Sequence, residues 1–329
     1  MTTTADDEVA RQSGLNGWVE AGLFSLALAV LNVSYALGHQ IGAHPVAFLV
    51  YAMNIAALTL LVFTGPGPHW REIVRHPLSF VVGGGIIAME AVYYMLLKFV
   101  TPADGSMLVR TNVPVAALLA AVLLGRRPPP LGVLGILIVT GGIAWYVPGM
   151  SEATRWIGVA LGLACGTIMS LRAFATEFHP WNRKAHAILD KMRVTGLVLL
   201  VSSTLATSLV AGLMALVAAD RIAKPGWLPG PEHFAHWPTF VLALFMGALV
   251  LTAMQYLQFS VVVKIRAENF MATTAFIPLV TILVQSVAVA LGILSPLPFV
   301  WSMLAPMGVV IAGVLIAIWA GRRGLPGKS

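Results

Sequence analysis

Charge is what this sequence is short of. Lysine, arginine, aspartate and glutamate make up 10% of its 329 residues and hydrophobic residues 58%, whereas about a quarter of an ordinary soluble domain is charged. A water-soluble domain is thereby excluded. Cysteine is nearly absent too: the single thiol, Cys165, leaves no intramolecular disulfide and no cysteine-cluster metal site. There is no Gly-x-Ser-x-Gly stretch and no His-Glu-x-x-His helix, so the usual parts of an intramembrane hydrolase are missing. Gly327-Lys328-Ser329 fails as a P-loop, because Arg322 stands where the first glycine belongs. His39 has no second histidine or carboxylate at i+3 or i+4 to complete a metal pair. Neither a metal nor any other cofactor is expected.

What is there is apolar length. Ten runs long enough to span a bilayer cover 18–37, 45–64, 78–99, 103–125, 131–147, 156–176, 195–219, 239–263, 267–292 and 299–320. All are read as helices, because a lipid-exposed backbone must satisfy its own hydrogen bonds and nothing alternates like a barrel strand. The net charge of +7 does not point to nucleic acid, since the basic residues lie between apolar segments. If the amino terminus is cytoplasmic, fourteen lysines and arginines fall on the inner side. Four fall on the outer side (Lys98, Arg155, Arg221, Lys224), and Arg110 and Arg172 lie inside spans. The positive-inside rule then places both termini in the cytoplasm, of an inner membrane.

The chain also repeats itself. At a constant offset of 164 residues, Ala103, Asp104, Met107 and Pro114 fall on Ala267, Glu268, Met271 and Pro278, Val113 falls on Ile277, and Gly83 on Gly247. Five spans per copy is an odd number, so the second copy must cross upside down. The expected fold is an all-α membrane protein of ten transmembrane helices in two inverted five-helix repeats, 17–150 and 151–321. A disordered cytoplasmic tail (1–16) and a basic one (322–329) flank them. The longest outer connection, about 220–238, holds four prolines and reads as an ordered cap.

This plan, with Met107, Pro114 and Leu123-Leu124-Gly125 on one helix and Gly135 and Gly141-Gly142 on the next, resembles the EamA-type drug/metabolite transporters over roughly residues 18–320. The resemblance implies a carrier whose relatives move amino acids, drugs, nucleotide sugars and other metabolites. Given the aromatic third span, the aromatic amino acid exporters of the same superfamily are the members to compare first. The chain departs from the family at Gly125-Arg126, where Gly-Glu is frequent, and Leu291-Gly292-Ile293 lacks the acid as well.

Glu90 is the leading candidate for chemistry. A charge at mid-span costs about 2.5 to 3.5 kcal/mol on insertion scales, so it should face the bundle interior. Counting from the turn near 100–102 at 1.5 Å per residue, Arg110 reaches a similar depth. Two alternatives stand. Either the two form a structural ion pair, or Arg110 binds a substrate carboxylate while Glu90 binds an amine or carries the proton of a coupled cycle. Tyr93 and Tyr94, at i+3 and i+4, share the face of Glu90, and Asn112 flanks Arg110. Glu90 and Tyr94 map onto Met254 and Gln258, so the second half supplies neutral Gln255, Gln258, Thr273 and Thr274 instead. Interhelical hydrogen bonding is the plainer role for each polar residue.

Pro114 and Pro278 are expected helix kinks at matching repeat positions. Arg172 is expected to snorkel to the inner headgroups. Gly158, Gly162 and Gly166 form a small-residue face for packing within the bundle or, alternatively, for a homodimer contact. The expected function is export of a small zwitterionic or aromatic metabolite, such as an amino acid, by a secondary transporter. The alternatives are exchange or uptake of an anionic metabolite held by Arg110 and Arg172, or a membrane enzyme or scaffold that transports nothing. A cavity open to one side and reaching Glu90 favours transport; a sealed pair favours a scaffold.

Overall fold

The computed structural model describes residues 15–97, 99–295 and 304–323, without the side chains of Tyr94 and of 321–323. Tyr94, and all but the inner edges of the tails expected at 1–16 and 322–329, lie outside that description. Among the described residues helix is the regular structure, with no strand. We number the apolar helices α1 (Gly17–Gln40), α2 (Pro45–Thr64), α3 (Pro77–Leu96), α4 (Pro102–Leu124), α5 (Pro130–Tyr146), α6 (Glu152–Phe178), α7 (Ile188–Ala218), α8 (Trp237–Ile265), α9 (Ala267–Ala290) and α10 (Leu304–Arg323). Eight are long and apolar enough to cross a membrane; α3 and α10 are shorter apolar helices.

Sequence chemistry sets the ends. Each of α2 to α5 opens on proline, whose missing N–H is one of the four that a first turn leaves unpaired anyway. Gly65 and Gly125 close α2 and α4 at φ +64° and +63°, a region that glycine adopts without a Cβ penalty. Large apolar side chains such as Val62, Phe63, Leu118, Val122 and Leu137 are exposed, as they must be on a bundle whose surroundings are hydrocarbon.

α4 and α9 are each broken at the same place. In α4 a 3₁₀ turn at Val109–Thr111 separates Pro102–Leu108 from Asn112–Leu124. In α9 the turn Thr274–Phe276 separates Ala267–Thr273 from Ile277–Ala290. Pro114 and Pro278 lie in the first turn of the second segments, so the prolines follow the breaks and do not interrupt a hydrogen-bonded interior.

Helix contacts come in matched sets. α5 packs on α10 and α2 on α7. The pair α3 with α6 has its counterpart, five helices on, in α8 with α1; α3 with α7 is matched by α8 with α2, and α4 with α6 by α9 with α1. Glycines bring these helices together. A Cβ on Gly83 would come within 2.9 Å of Ser202 on α7, and one on Gly247, 164 residues later, within 2.6 Å of the Ala52 carbonyl on α2. Gly158, Gly162 and Gly166 all lie against the 100–112 segment or Met150, so that face packs inside the bundle. The 220–238 connection is an ordered cap: Leu228 is buried against Val50 and Val210, and Tyr51 donates to the Phe234 carbonyl at 2.8 Å.

Candidate functional site

The bundle buries polar residues in its middle as well as at its ends. In the middle Glu90 (4% exposed) accepts a 2.6 Å hydrogen bond from the Tyr35 hydroxyl of α1. Tyr35 packs at 6.4 Å from Tyr93. Together with Asn32, Ser106, Arg110 and Met169 these residues line a chamber of about 20 Å³, room for about one water molecule. The chamber is shut, and the Tyr93 hydroxyl finds no partner among the described residues.

Arg110 does not pair with Glu90. From the 3₁₀ turn of α4 its Nε donates to the Ser106 carbonyl at 2.8 Å, and Nη1 donates to the Thr274 carbonyl in the break of α9. Asn112 adds a bond from Nδ2 to Thr274 Oγ1 at 2.9 Å. Depth along a helix was a sound guide to Arg110, but azimuth was not: the guanidinium turns toward α9 while Glu90 turns toward α1. The two carbonyls it meets belong to the C-terminal ends of half-helices, where the negative end of the dipole favours a cation.

Arg172 corrects a second expectation. It does not snorkel but is 2% exposed, with Nη2 donating to Gln258 Oε1 at 2.6 Å. Its α6 helix, at 27 residues, continues past it to Phe178, and those last turns are themselves covered. Gln255 and Gln258 are fully buried. Both amide atoms of Gln255, Gln258 Nε2, Asn112 Oδ1, and Nε and Nη1 of Arg172 have no hydrogen-bond partner among the described residues. A buried polar atom left unpaired costs about 1–3 kcal/mol.

The two ends of the bundle differ. At the far end, where α1 finishes, a cleft of about 870 Å³ is bordered by His39, Asp104, Trp145 and Tyr146. Asp104 caps α4 through Thr101 and accepts from the Tyr146 hydroxyl. Between this cleft and the chamber, Tyr93, Leu96 and Leu97 close on Gly105.

At the basic end, where α1 begins, ion pairs close the bundle. The left-handed cap at Gly125 turns the chain so that Arg126 meets Glu177 at 2.8 Å and Glu268 at 3.2 Å, joining α4 to the end of α6 and the start of α9. The second Glu177 oxygen accepts from the Ala267 N–H at 2.8 Å, a carboxylate placed on a helix N-terminus. Lys264 bridges to Glu20 at 2.8 Å, tying α8 to α1. Arg266 holds the α8–α9 turn at φ +69°, a backbone that costs a non-glycine residue about 1–3 kcal/mol.

The first half of the bundle is similar to a known family. Residues 19–147 match the EamA-like transporter family. That segment, α1 to α5, carries Glu90, Tyr93, Arg110 and Asn112. The long apolar helices make the chain a multi-pass membrane protein, and the match over its first five helices supports a transporter of the drug/metabolite type. No curated protein matches it. A solved crystal structure of a protein superposes on 93% of this chain and 97% of its own, with a TM-score of 0.57 at 19% identity, which speaks for the fold alone.

In the EamA-like segment sequence reasoning found four chamber or near-chamber residues and missed Tyr35 as the partner of Glu90. No periodicity distinguishes that tyrosine from others on α1. It also missed the basic-end network, whose members come from α1, α4, α6, α8 and α9 and share no local pattern. Among the described residues no group of three metal-ligating side chains comes together.

One titratable group lies just outside the spans. His179, after α6, is buried. Ser79 Oγ donates to the Ile73 carbonyl at 2.5 Å and so must accept from His179 Nε2 at 2.9 Å, while Nδ1 accepts from the Asn182 N–H. This network holds the neutral Nε2–H tautomer. Burial, and then the nearby His76, push its pKa from 6.5 down to about 4. A folded-state pKa below the unfolded one contributes stability in full above pH 6.5, lost as pH falls toward 4, because the unfolded chain binds the proton first. The thermal midpoint in detergent is expected to fall between pH 6.5 and 4, and less steeply in His179→Gln. Equal slopes for the two proteins would show that His179 does not set the acid limit.

Proposed function

We propose that the chain is an alternating-access secondary transporter of ten spans. In this scheme 17–150 and 151–321 are inverted repeats, both termini are cytoplasmic, and a small zwitterionic or aromatic metabolite such as an amino acid is exported across the inner membrane through a site between the halves. The observation that carries this is the bond from Arg110 to the Thr274 carbonyl. The two residues are 164 positions apart, the repeat offset itself, and residues at equivalent positions touch only where a two-fold axis passes. That point lies in the polar interior at the break of both α4 and α9, the position of substrate sites in inverted-repeat carriers.

Other features agree. The exchange of helix partners five apart is what such an axis produces. Asp104 opens α4 beside the far-end cleft, and its repeat mate Glu268 opens α9 at the basic end, as inversion requires. A cavity open to one side would favour transport, and the one that reaches Glu90 is not open; we read its closure, by Tyr93 and Gly105 on one side and by ion pairs on the other, as the occluded state of a carrier. Glu90 is the proton-coupling candidate.

The test has two arms. In a Cys165→Ser background, cysteines at Gln40 and Arg127 should label from opposite sides of oriented vesicles. Purified protein in liposomes should move label from an amino-acid and metabolite pool. Labelling from the same side, or no flux of any compound by folded protein, would overturn the proposal.

A further inference from the structure

The interior holds two buried arginines, and they are held very differently. Arg110 meets carbonyl oxygens at the ends of two half-helices, and those dipoles offset its charge. Among the described residues Arg172 donates only to the neutral amide of Gln258. Among the described residues no carboxylate lies within 4.0 Å of it, and its Nε and Nη1 have no partner. A desolvated guanidinium so poorly met is costly. Beside it stand amide atoms in the same condition: Gln258 Nε2 and both side-chain polar atoms of Gln255.

α3, which carries Glu90, packs directly on the Arg172 side chain, a Cβ on Gly85 falling 3.4 Å from it, and Glu90 lies within electrostatic reach of Arg172 without an ion pair between them. An opposite pair held apart in a low-dielectric interior attracts strongly, and what fits between such charges is a molecule carrying both signs. Met169, three residues before Arg172 and thus on the same face of α6, lines the chamber beside Glu90. Methionine is the apolar side chain that rearranges most easily, which suits a wall that must yield, because about 20 Å³ does not hold an amino acid.

We infer that Arg172, flanked by Gln255 and Gln258, is the carboxylate-binding half of the substrate site and that Glu90 receives the ammonium group, so that the ligand is a zwitterion seated between α3 and α6. This deepens the transport proposal and rests on it. It moves the carboxylate contact from Arg110, which fastens the helix breaks, to Arg172. A carboxylate accepts up to about four hydrogen bonds, and the unpartnered donors of Arg172, Gln255 and Gln258 are of the kind that would supply them.

The experiment uses the full-length protein in detergent and in liposomes. Each of the twenty standard amino acids is screened for thermal stabilisation, and every stabilising one is compared with its decarboxylated amine and its carboxamide. At least one amino acid should stabilise the protein, with the amine and amide bound at least about tenfold more weakly, the range of one lost charge-assisted bond. Arg172→Met and Gln258→Leu should each weaken the amino acid but not worsen the amine, and Arg172→Lys should recover part of the loss. Gln258→Leu keeps the test valid if Arg172→Met does not fold. If amine and acid stabilise equally, or Arg172→Met binds the amino acid like wild type, the assignment is wrong. If liposomes move only compounds lacking a carboxylate, or only anions lacking an amine, this inference falls and the transport proposal stands. If they move nothing, the transport proposal falls with it.

Discussion

Glu90→Gln is expected to abolish transport while leaving a folded, monodisperse protein. Glutamine has the same shape and can still accept the bond from Tyr35, so packing around the chamber is kept. What goes is a charge desolvated at mid-bundle, whose burial costs stability; the thermal midpoint should hold or rise. Function behaves oppositely, because a carboxylate that binds an ammonium or carries a proton has no neutral substitute. A lost charge-assisted bond of about 1.5–3 kcal/mol corresponds to roughly ten- to hundredfold in binding, and proton movement, followed with a pH dye inside liposomes, should stop. Tyr35→Phe should give a smaller loss, about tenfold, because it frees the carboxylate from its held position without removing it. Wild-type flux in Glu90→Gln together with a lowered thermal midpoint would make Glu90 a structural residue.

Glu177→Ala is expected to unlock the basic end. The substitution strips Arg126 of its closer partner and leaves the Ala267 N–H without an acceptor. Breaking a buried ion pair costs about 3–5 kcal/mol, and because the Arg126 side chain is 28% exposed a loss nearer 2–3 kcal/mol is expected here. The lone thiol provides a second readout. Cys165 is fully buried, close to the Met89 carbonyl at the depth of Glu90, so a maleimide reaches it only when the helices part. Its labelling should accelerate at least about tenfold, which a population shift of about 1.4 kcal/mol would produce. In Glu177→Ala/Arg126→Ala the loss of stability should be smaller than the two single losses added, as coupling within a pair requires. Unchanged stability and unchanged labelling would mean that these ion pairs only decorate the surface.

Much of the architecture is written in composition and in the 164-residue offset. The apolar runs became helices nearly where their hydrophobicity begins and ends, since a bilayer leaves the backbone no other choice. The offset also led straight to the two breaks, because Pro114 and Pro278 carry it. The site was legible in part. Glu90 and Arg110 stand out because charge is rare inside a span, but which way each turns depends on helix rotation, and only packing fixes that. Arg172 was misplaced for a related reason: distance to a helix end suggests headgroups only if that end lies in lipid, and here it lies beneath the ion pairs of Arg126 and Glu177. Gln255 and Gln258 were reached through the repeat offset, whereas Tyr35 gains its importance from Glu90 on another helix, which no local pattern encodes.

The bond from Arg110 to Thr274 has one more consequence. It fastens the midpoint of one broken helix to the midpoint of the other, so in the proposed alternating-access cycle it would be the pivot between the arms on either side. In that cycle a shared fulcrum would couple the closing of one side to the opening of the other without a separate signal.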